Sequence, residues 1–262
     1  MPAKKSEAEI IKNGKKVITI EKREINSLEK RFNDTAFAKN FAEAVELIFR
    51  CKGKVVVTGV GKSGIIAQKI VATFNSTGTY SIFLHSADSI HGDLGILRDG
   101  DIVIVISKSG DSSDVTQIIP LLKTLKLKII AIIGNMNSEI AKLSDIVLDA
   151  SVKVEACPHN LAPTSSSTSA LVLGDALAIA LLQKRDFSRE DFARFHPGGI
   201  LGKKLLLKVS DLLQDENNIP KVSVDANLKD IIYQISSKRL GCTCVLKKDK
   251  VAGIITDGDI RR

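Results

Sequence analysis

Two short turns in this sequence carry the residue types that hold anions. The first is GVGKSG, residues 59–64, between a β-branched run and an apolar helical pattern. A glycine turn from strand to helix leaves backbone N–H groups facing outward, where the helix dipole favours negative charge. Lys62 adds a cation to that turn and Ser63 a hydroxyl. The second is SKSGDSSD, residues 107–114. Its Ser107, Ser109 and Ser112 are spaced so that hydroxyls and N–H groups can surround a phosphate without a metal. The first turn is read as neither a P-loop, whose GxxxxGK(S/T) spacing it lacks, nor a dinucleotide fingerprint, whose last glycine is expected one place after Gly64. A third polar cluster, TSSSTS at 164–169, opens an apolar helical pattern. One hydroxyl suffices for a helix cap, so the surplus, Ser165, Ser166 and Thr168 among it, suits an anion or a sugar.

Ionisable side chains supply the candidates for proton transfer. His196 precedes Pro-Gly-Gly, which fixes its backbone in a turn, and an imidazole titrates near neutrality. Glu155 lies between Val154 and Ala156 and is either solvated or poised near a sheet edge. To give a proton at neutral pH it would need burial that raises its pKa. His85 and His91 flank a strand end. Both could meet a metal, but no third ligand is close in sequence, so no metal is expected to be required. His159 reads as a loop residue. Cys242 and Cys244 are spaced more tightly than a zinc pair and read as two strand residues on one face.

These residues need a scaffold that brings distant turns together. Near-continuous Val/Ile runs at 55–58, 79–84, 102–106, 129–133 and 146–148 alternate with helical patterns at 63–75, 113–125 and 138–143, with a short turn at 86–92. That alternation predicts an α/β fold with a parallel sheet covered on both faces. Ligands in such sheets sit beyond the carboxyl ends of the strands, where both turns fall. Amphipathic helices are expected at 7–32 and 37–49 as cover for the sheet or a subunit interface, and further helices at 165–183 and 188–195. Residues 1–6 read as a polar tail and 214–220 as a linker. A helix at 228–238 and strands at 243–246 and 251–255 follow. The expected domains are an N-terminal helical segment (1–34), the α/β domain (35–207) and a small C-terminal segment (208–262).

Composition narrows the partners. Of 262 residues, 44% are hydrophobic, which suits a globular chain. The net charge of +8 comes from basic residues spread along the chain, and with no Trp and two Tyr there is little to stack on bases, so nucleic acid is not an expected partner. No secretory signal and no apolar run of ~18 residues is seen, so a membrane is not expected either. With four cysteines, a reducing cytoplasmic setting is expected.

GVGKSG, SKSGDSSD, VEACPHNLAPTSSST, GDALAIAL and ARFHPGGILGKKLL together resemble the D-arabinose-5-phosphate isomerases, sugar-isomerase (SIS) domain enzymes followed by a pair of CBS modules. The resemblance implies interconversion of D-ribulose 5-phosphate and D-arabinose 5-phosphate for 3-deoxy-D-manno-octulosonate (Kdo) and lipopolysaccharide synthesis. It implies a homotetramer that requires no cofactor and can be inhibited by zinc. The family's catalytic positions fall on Lys62, Asp114 (where the family usually has Glu), Glu155 and His196. Its substrate contacts fall on Gly78, Thr79, His85 and His91, with His85 as the zinc contact. Residues 208–262 resemble only the first CBS module, so that segment is read as incomplete and without adenosine-type regulation. On this reading Ser63, Ser107, Ser109, Ser112, Ser165, Ser166 and Thr168 hold the phosphosugar. Glu155 and His196 act as acid and base in an order left open, and Lys62 polarises the carbonyl or stabilises the enediolate. The alternatives are a sugar-phosphate-binding regulator without turnover, or an isomerase of another sugar phosphate.

Overall fold

The computed structural model describes residues 6–213 and 215–262. The expected polar tail therefore lies, apart from Ser6, outside the described residues, as does Gln214 of the expected linker. The chain forms two compact units, one ending at Leu201 and the other Gly202–Arg262.

In the first unit, β1 (Val55–Gly59), β2 (Ser81–His85), β3 (Ile102–Ser107), β4 (Lys128–Ile133) and β5 (Ile146–Asp149) form one parallel sheet in the order β2-β1-β3-β4-β5. Alternate side chains of each strand enter opposite cores. Ile102, Ile104 and Ile106 face a core shared with α2 (Thr35–Phe49), α3 (Lys62–Ser76) and α8 (Ser165–Lys184). Val103 and Val105 face a second core closed by α5 (Ser113–Thr116), α6 (Ile119–Thr124) and α7 (Glu139–Leu143). The doubly covered sheet predicted from the sequence is therefore present. Its strand order reverses between β1 and β3, which opens a crevice at their carboxyl ends.

Two expected elements change. The strand expected from residue 79 starts at Ser81, because Gly78 and Thr79 terminate α3. Gly78 has φ +86°, its N–H meets the Asn75 carbonyl at 3.5 Å, and the Thr79 N–H donates to the Phe74 carbonyl at 2.8 Å. This is a Schellman stop, and glycine provides the left-handed residue it needs. The single helix expected over 113–125 is two short ones, because Pro120 has no N–H to donate back to residue 116.

The N-terminal segment is not separate from the α/β domain. Helix α1 (Glu7–Arg31) buries Leu28 in the same core as α8, and Thr168 Oγ1 donates to Glu21 at 3.2 Å. Its first half leaves Ile10, Ile11 and Ile18 exposed. Helix α8 is the one described helix long and apolar enough to span a membrane, yet its Leu173, Leu177 and Leu181 are fully buried in the protein core. A four-residue α4 (Ser86–Ser89) follows β2, and α9 (Arg189–Phe195) follows α8. The first unit thus ends six residues before the expected boundary after 207, on α10 (Ile200–Leu206).

The second unit contains α11 (Val209–Leu212), β6 (Lys221–Ser223), α12 (Leu228–Lys238), β7 (Cys242–Lys247), β8 (Lys250–Thr256) and α13 (Asp257–Ile260). Strand β6, unforeseen in the sequence, pairs parallel to β7, and β8 pairs antiparallel to β7. The β7–β8 hairpin turns through Lys248 and Asp249, both with positive φ, as a two-residue turn requires. Cys242 and Cys244 share one face of β7, in keeping with their alternate spacing.

Candidate functional site

The crevice between the ends of β1 and β3 holds a cavity of about 260 Å³, lined by Val60, Ser63, Ser107, Lys108, Ser109 and Ser112. A smaller cavity of about 30 Å³ adjoins it and shares Ser63, Ser107 and Lys108, adding Gly134 and Ser166. The two predicted turns thus meet, although they are separated by more than forty residues in the chain. Ser107 ends β3 and is nearly buried; its hydroxyl accepts from the Gly110 N–H at 3.0 Å. It therefore shapes the turn, while Ser109 and Ser112 line the larger cavity. Gly134 closes the floor: a Cβ there would lie 2.5 Å from the Lys108 carbonyl oxygen.

Ser63 lies in the first turn of α3, beside the exposed Lys62. Gly59, Gly61 and Gly64 do meet the GxGxxG spacing, contrary to the sequence reading. What distinguishes this turn from a dinucleotide site is the end of β2, which carries His85 in place of the acidic residue that binds ribose. Asp114 occupies the first turn of α5 and is half-buried.

Glu155 departs most from expectation. Its side chain is about 1% exposed and both oxygens are occupied. Oε1 accepts from the Ser166 hydroxyl at 2.5 Å and pairs with the Lys108 ammonium at 2.7 Å. Oε2 accepts from the Thr164 N–H at 2.8 Å, the Thr164 hydroxyl at 3.1 Å and the Ser166 N–H at 3.2 Å. Burial pushes the carboxyl pKa up, but Lys108, Ser166 and Thr164 together outweigh it and hold the group at about 2. Glu155 thus has no proton to give at neutral pH. The raised pKa that an acid role requires is replaced by a lowered one. Its carboxylate fills the N-terminus of α8, the place the sequence reading gave to substrate. Ser165 is buried, with its hydroxyl unpaired among the described residues, and Thr168 turns to Glu21. Ser166 alone of these three both touches the small cavity and holds Glu155.

The loop that carries Glu155 is itself anchored. The buried Glu24 of α1 accepts from the Lys153 N–H at 2.8 Å. Arg31 donates to the Asp149 and Ser151 carbonyls, both at 2.7 Å. Sequence reading treated α1 as cover without chemistry and passed over Lys108. The signal for Lys108 was available, since it lies inside the serine turn.

The remaining predicted residues lie apart from this cavity. Gly78 and Thr79 precede β2, at the amino end of the strands, so one chain does not bring them to the crevice. A Cβ on Gly78 would lie 2.6 Å from the Phe187 ring, which gives that glycine a structural reason. His85 ends β2, paired in register with Gly59, and its ring packs edge-on to Phe83. Its Nδ1 is buried, with Asp88 at 3.6 Å, too far for a hydrogen bond. His91 and His159 are exposed. Among the described residues no three His, Cys, Asp or Glu side chains gather as a metal site. His196 follows α9 and stacks on Phe192, with ring centroids 3.9 Å apart. Its Nδ1 lies 2.8 Å from the Phe192 carbonyl oxygen. A carbonyl only accepts, so Nδ1 carries the proton and Nε2 presents a lone pair in the neutral ring. His196 is not among the lining of either cavity.

Comparison with known proteins follows the same lines. The SIS domain family model matches residues 48–180. The arabinose 5-phosphate isomerase KdsD of Shigella flexneri is 48% identical over 250 residues, covering 95% of this chain and 75% of the relative. KdsD of Pseudomonas aeruginosa is 46% identical over 255 residues, covering 97% and 77%. Among solved structures, an E. coli CFT073 protein in complex with arabinose 5-phosphate is 38% identical with a TM-score of 0.69, covering 74% of this chain and 100% of that one.

Proposed function

The chain belongs to the SIS-domain arabinose 5-phosphate isomerases, and we propose that it interconverts D-ribulose 5-phosphate and D-arabinose 5-phosphate through an enediol. The observation that carries this reading is the polar cavity where the strand order reverses, bounded by the serine turn and a lysine. Its volume lies just below the roughly 300–1,000 Å³ usual for small-molecule sites. Phosphate would sit on Ser109 and Ser112, with the sugar extending toward Ser63 and the first turn.

In the forward direction a base takes the proton from C1, beside the C2 carbonyl. The electron pair forms the C1–C2 double bond of the enediolate, and Lys62 is suited to stabilise its oxygen. Passage of the C1 hydroxyl proton to the C2 oxygen and return of a proton to C2 leave the aldose. His196, with its tautomer fixed, serves one proton step through Nε2. Asp114 and Lys62 stand on the two turns bordering the cavity and are ionisable groups for the other. Glu155 is kept for positioning: it fixes Lys108 and the start of α8. Because His196 does not line the cavity of its own chain, we place it in the site of a neighbouring subunit of a homotetramer. Gly78 and Thr79 would reach substrate the same way.

The free thiols suit a reducing cytoplasm, and the product would feed Kdo synthesis. Residues 208–262 are read as part of a CBS module. No metal is needed for the steps above, and zinc at His85 would inhibit. Incubation with ribulose 5-phosphate in D2O, followed by NMR, tests the reading. Arabinose 5-phosphate carrying solvent deuterium at C2 is expected; no conversion by the folded protein would reject it. Chelator should leave the rate unchanged, and a rate lost with chelator and restored by a divalent ion would reject the metal-free scheme.

A further inference from the structure

Lys108 stands between an internal anion and the place proposed for an external one. It follows β3 directly, and it borders both the 260 Å³ cavity with Ser109 and Ser112 and the smaller one with Ser166. Its side chain is 42% exposed, whereas its partner Glu155 is about 1% exposed. The pair is asymmetric in a second way. Glu155 has four other hydrogen bonds, from Ser166 and Thr164, so it stays solvated by the protein if the ammonium leaves. Lys108 has three donors on a flexible stem, and its described ion pair is the one to Glu155. A point charge on a flexible stem suits a change of partner better than the rigid fork of an arginine.

The other charged groups on the surrounding elements do not take Lys108's place. Asp111 of the same turn accepts from the Glu139 N–H, across the loop. Glu24 and Glu21 of α1 are engaged with Lys153 and Thr168. Lys62 of α3 is exposed at the other turn.

The geometry points to Lys108 as the residue that makes this site select phosphorylated sugars: a cation held ready by Glu155 that passes to the substrate's phosphate on binding. The proposal deepens the phosphosugar reading above and rests on it. Glu155 then competes with the ligand for Lys108, and the strength of its hold sets phosphate affinity. A phosphate carries up to two charges against the single charge of the carboxylate, which favours the transfer.

The test uses inorganic phosphate as the probe, with affinity measured by calorimetry on the full chain at pH 7.5, so that turnover is not the readout. Lys108→Met should weaken phosphate binding by about 10- to 100-fold, the usual worth of one hydrogen bond to a charged group. Glu155→Gln should tighten it by roughly 3- to 10-fold, and that gain should vanish in the double variant. Ser166→Ala removes a competing donor from Oε1, leaving Glu155 to hold Lys108 harder, and should weaken phosphate by about twofold only when Lys108 is present. The serine variant decides the matter if Glu155→Gln does not fold. Phosphate affinity within twofold of the parent in Lys108→Met would overturn the proposal. So would a folded Glu155→Gln that binds phosphate no more tightly than the parent. Phosphate binding that tracks Lys108 without any conversion of ribulose 5-phosphate would support the proposal while rejecting the isomerase reading. Conversion with phosphate affinity indifferent to Lys108 would do the reverse.

Discussion

The amino ends of α3 and α8 are both glycine- or hydroxyl-rich, and both look in sequence like seats for an external anion. The fold treats them differently. At α8 the anion is internal: the Glu155 carboxylate takes two backbone N–H groups and two hydroxyls. At α3 the cap is Gly61, with no side-chain hydrogen bond, and Lys62 beside it is exposed. One helix start is thus closed by the protein itself, and the other borders an open cavity. The Thr164 and Ser166 hydroxyls consequently belong to the site's frame, whereas those at 109 and 112 face the larger cavity. A cluster of hydroxyls at a helix start indicates anion binding without saying whose anion it is.

Removing the internal anion should produce the largest effect. Glu155→Ala leaves several buried donors unpaired and should destabilise folding by about 3–5 kcal/mol, the usual cost of orphaning a buried ion-pair partner. Lys62→Met at the other helix start should change it by less than about 0.5 kcal/mol. Urea unfolding of both variants checks this contrast, and equal losses would erase it. The same carboxylate should control acid stability. Its folded pKa of about 2 lies below the ~4.3 of an unfolded glutamate. Its contribution is therefore complete above that unfolded value and is lost as pH falls from there through about 2. The loss amounts to roughly 3 kcal/mol, and Glu155→Gln should lack this part of the slope. A parent-like slope in the variant would assign acid sensitivity elsewhere.

His196→Ala should lower turnover by about 10²–10⁴-fold, the usual worth of one positioned proton-transfer group. Mixed assemblies of His196→Ala with Lys62→Met chains should regain partial activity if the imidazole crosses to a neighbouring site. The absence of rescue in confirmed mixtures would keep it within one chain. Ser109→Ala, at the open site, should raise the Michaelis constant by about 10-fold with stability unchanged within about 0.5 kcal/mol. A stability loss without a change in substrate affinity would make Ser109 part of the frame, like Ser166.

Much of the scaffold was legible because the strands carry β-branched runs that sheet burial requires, from Val55 to Leu148. The turns at 59–64 and 107–114 were legible for the same local reason: glycine and serine punctuate the change from strand to helix. Glu155 was misread because its environment is assembled from a distance. Lys108 lies 47 residues upstream, and the α8 start lies beyond a loop that no periodicity describes. Gly78 and Thr79 were read as substrate contacts, yet within one chain their local chemistry is that of a helix stop. His196 shows the same limit: its stacking on Phe192 is local, but its distance from the cavity is a property of the folded chain.

The most direct test of this account is a crystal structure with arabinose 5-phosphate bound. The phosphate oxygens should lie within hydrogen-bonding reach of Ser109, Ser112 and the Lys108 ammonium, with Glu155 still seated on the Thr164 and Ser166 N–H groups. A phosphate seated at Ser165–Thr168, with the Glu155 carboxylate displaced from α8, would contradict it.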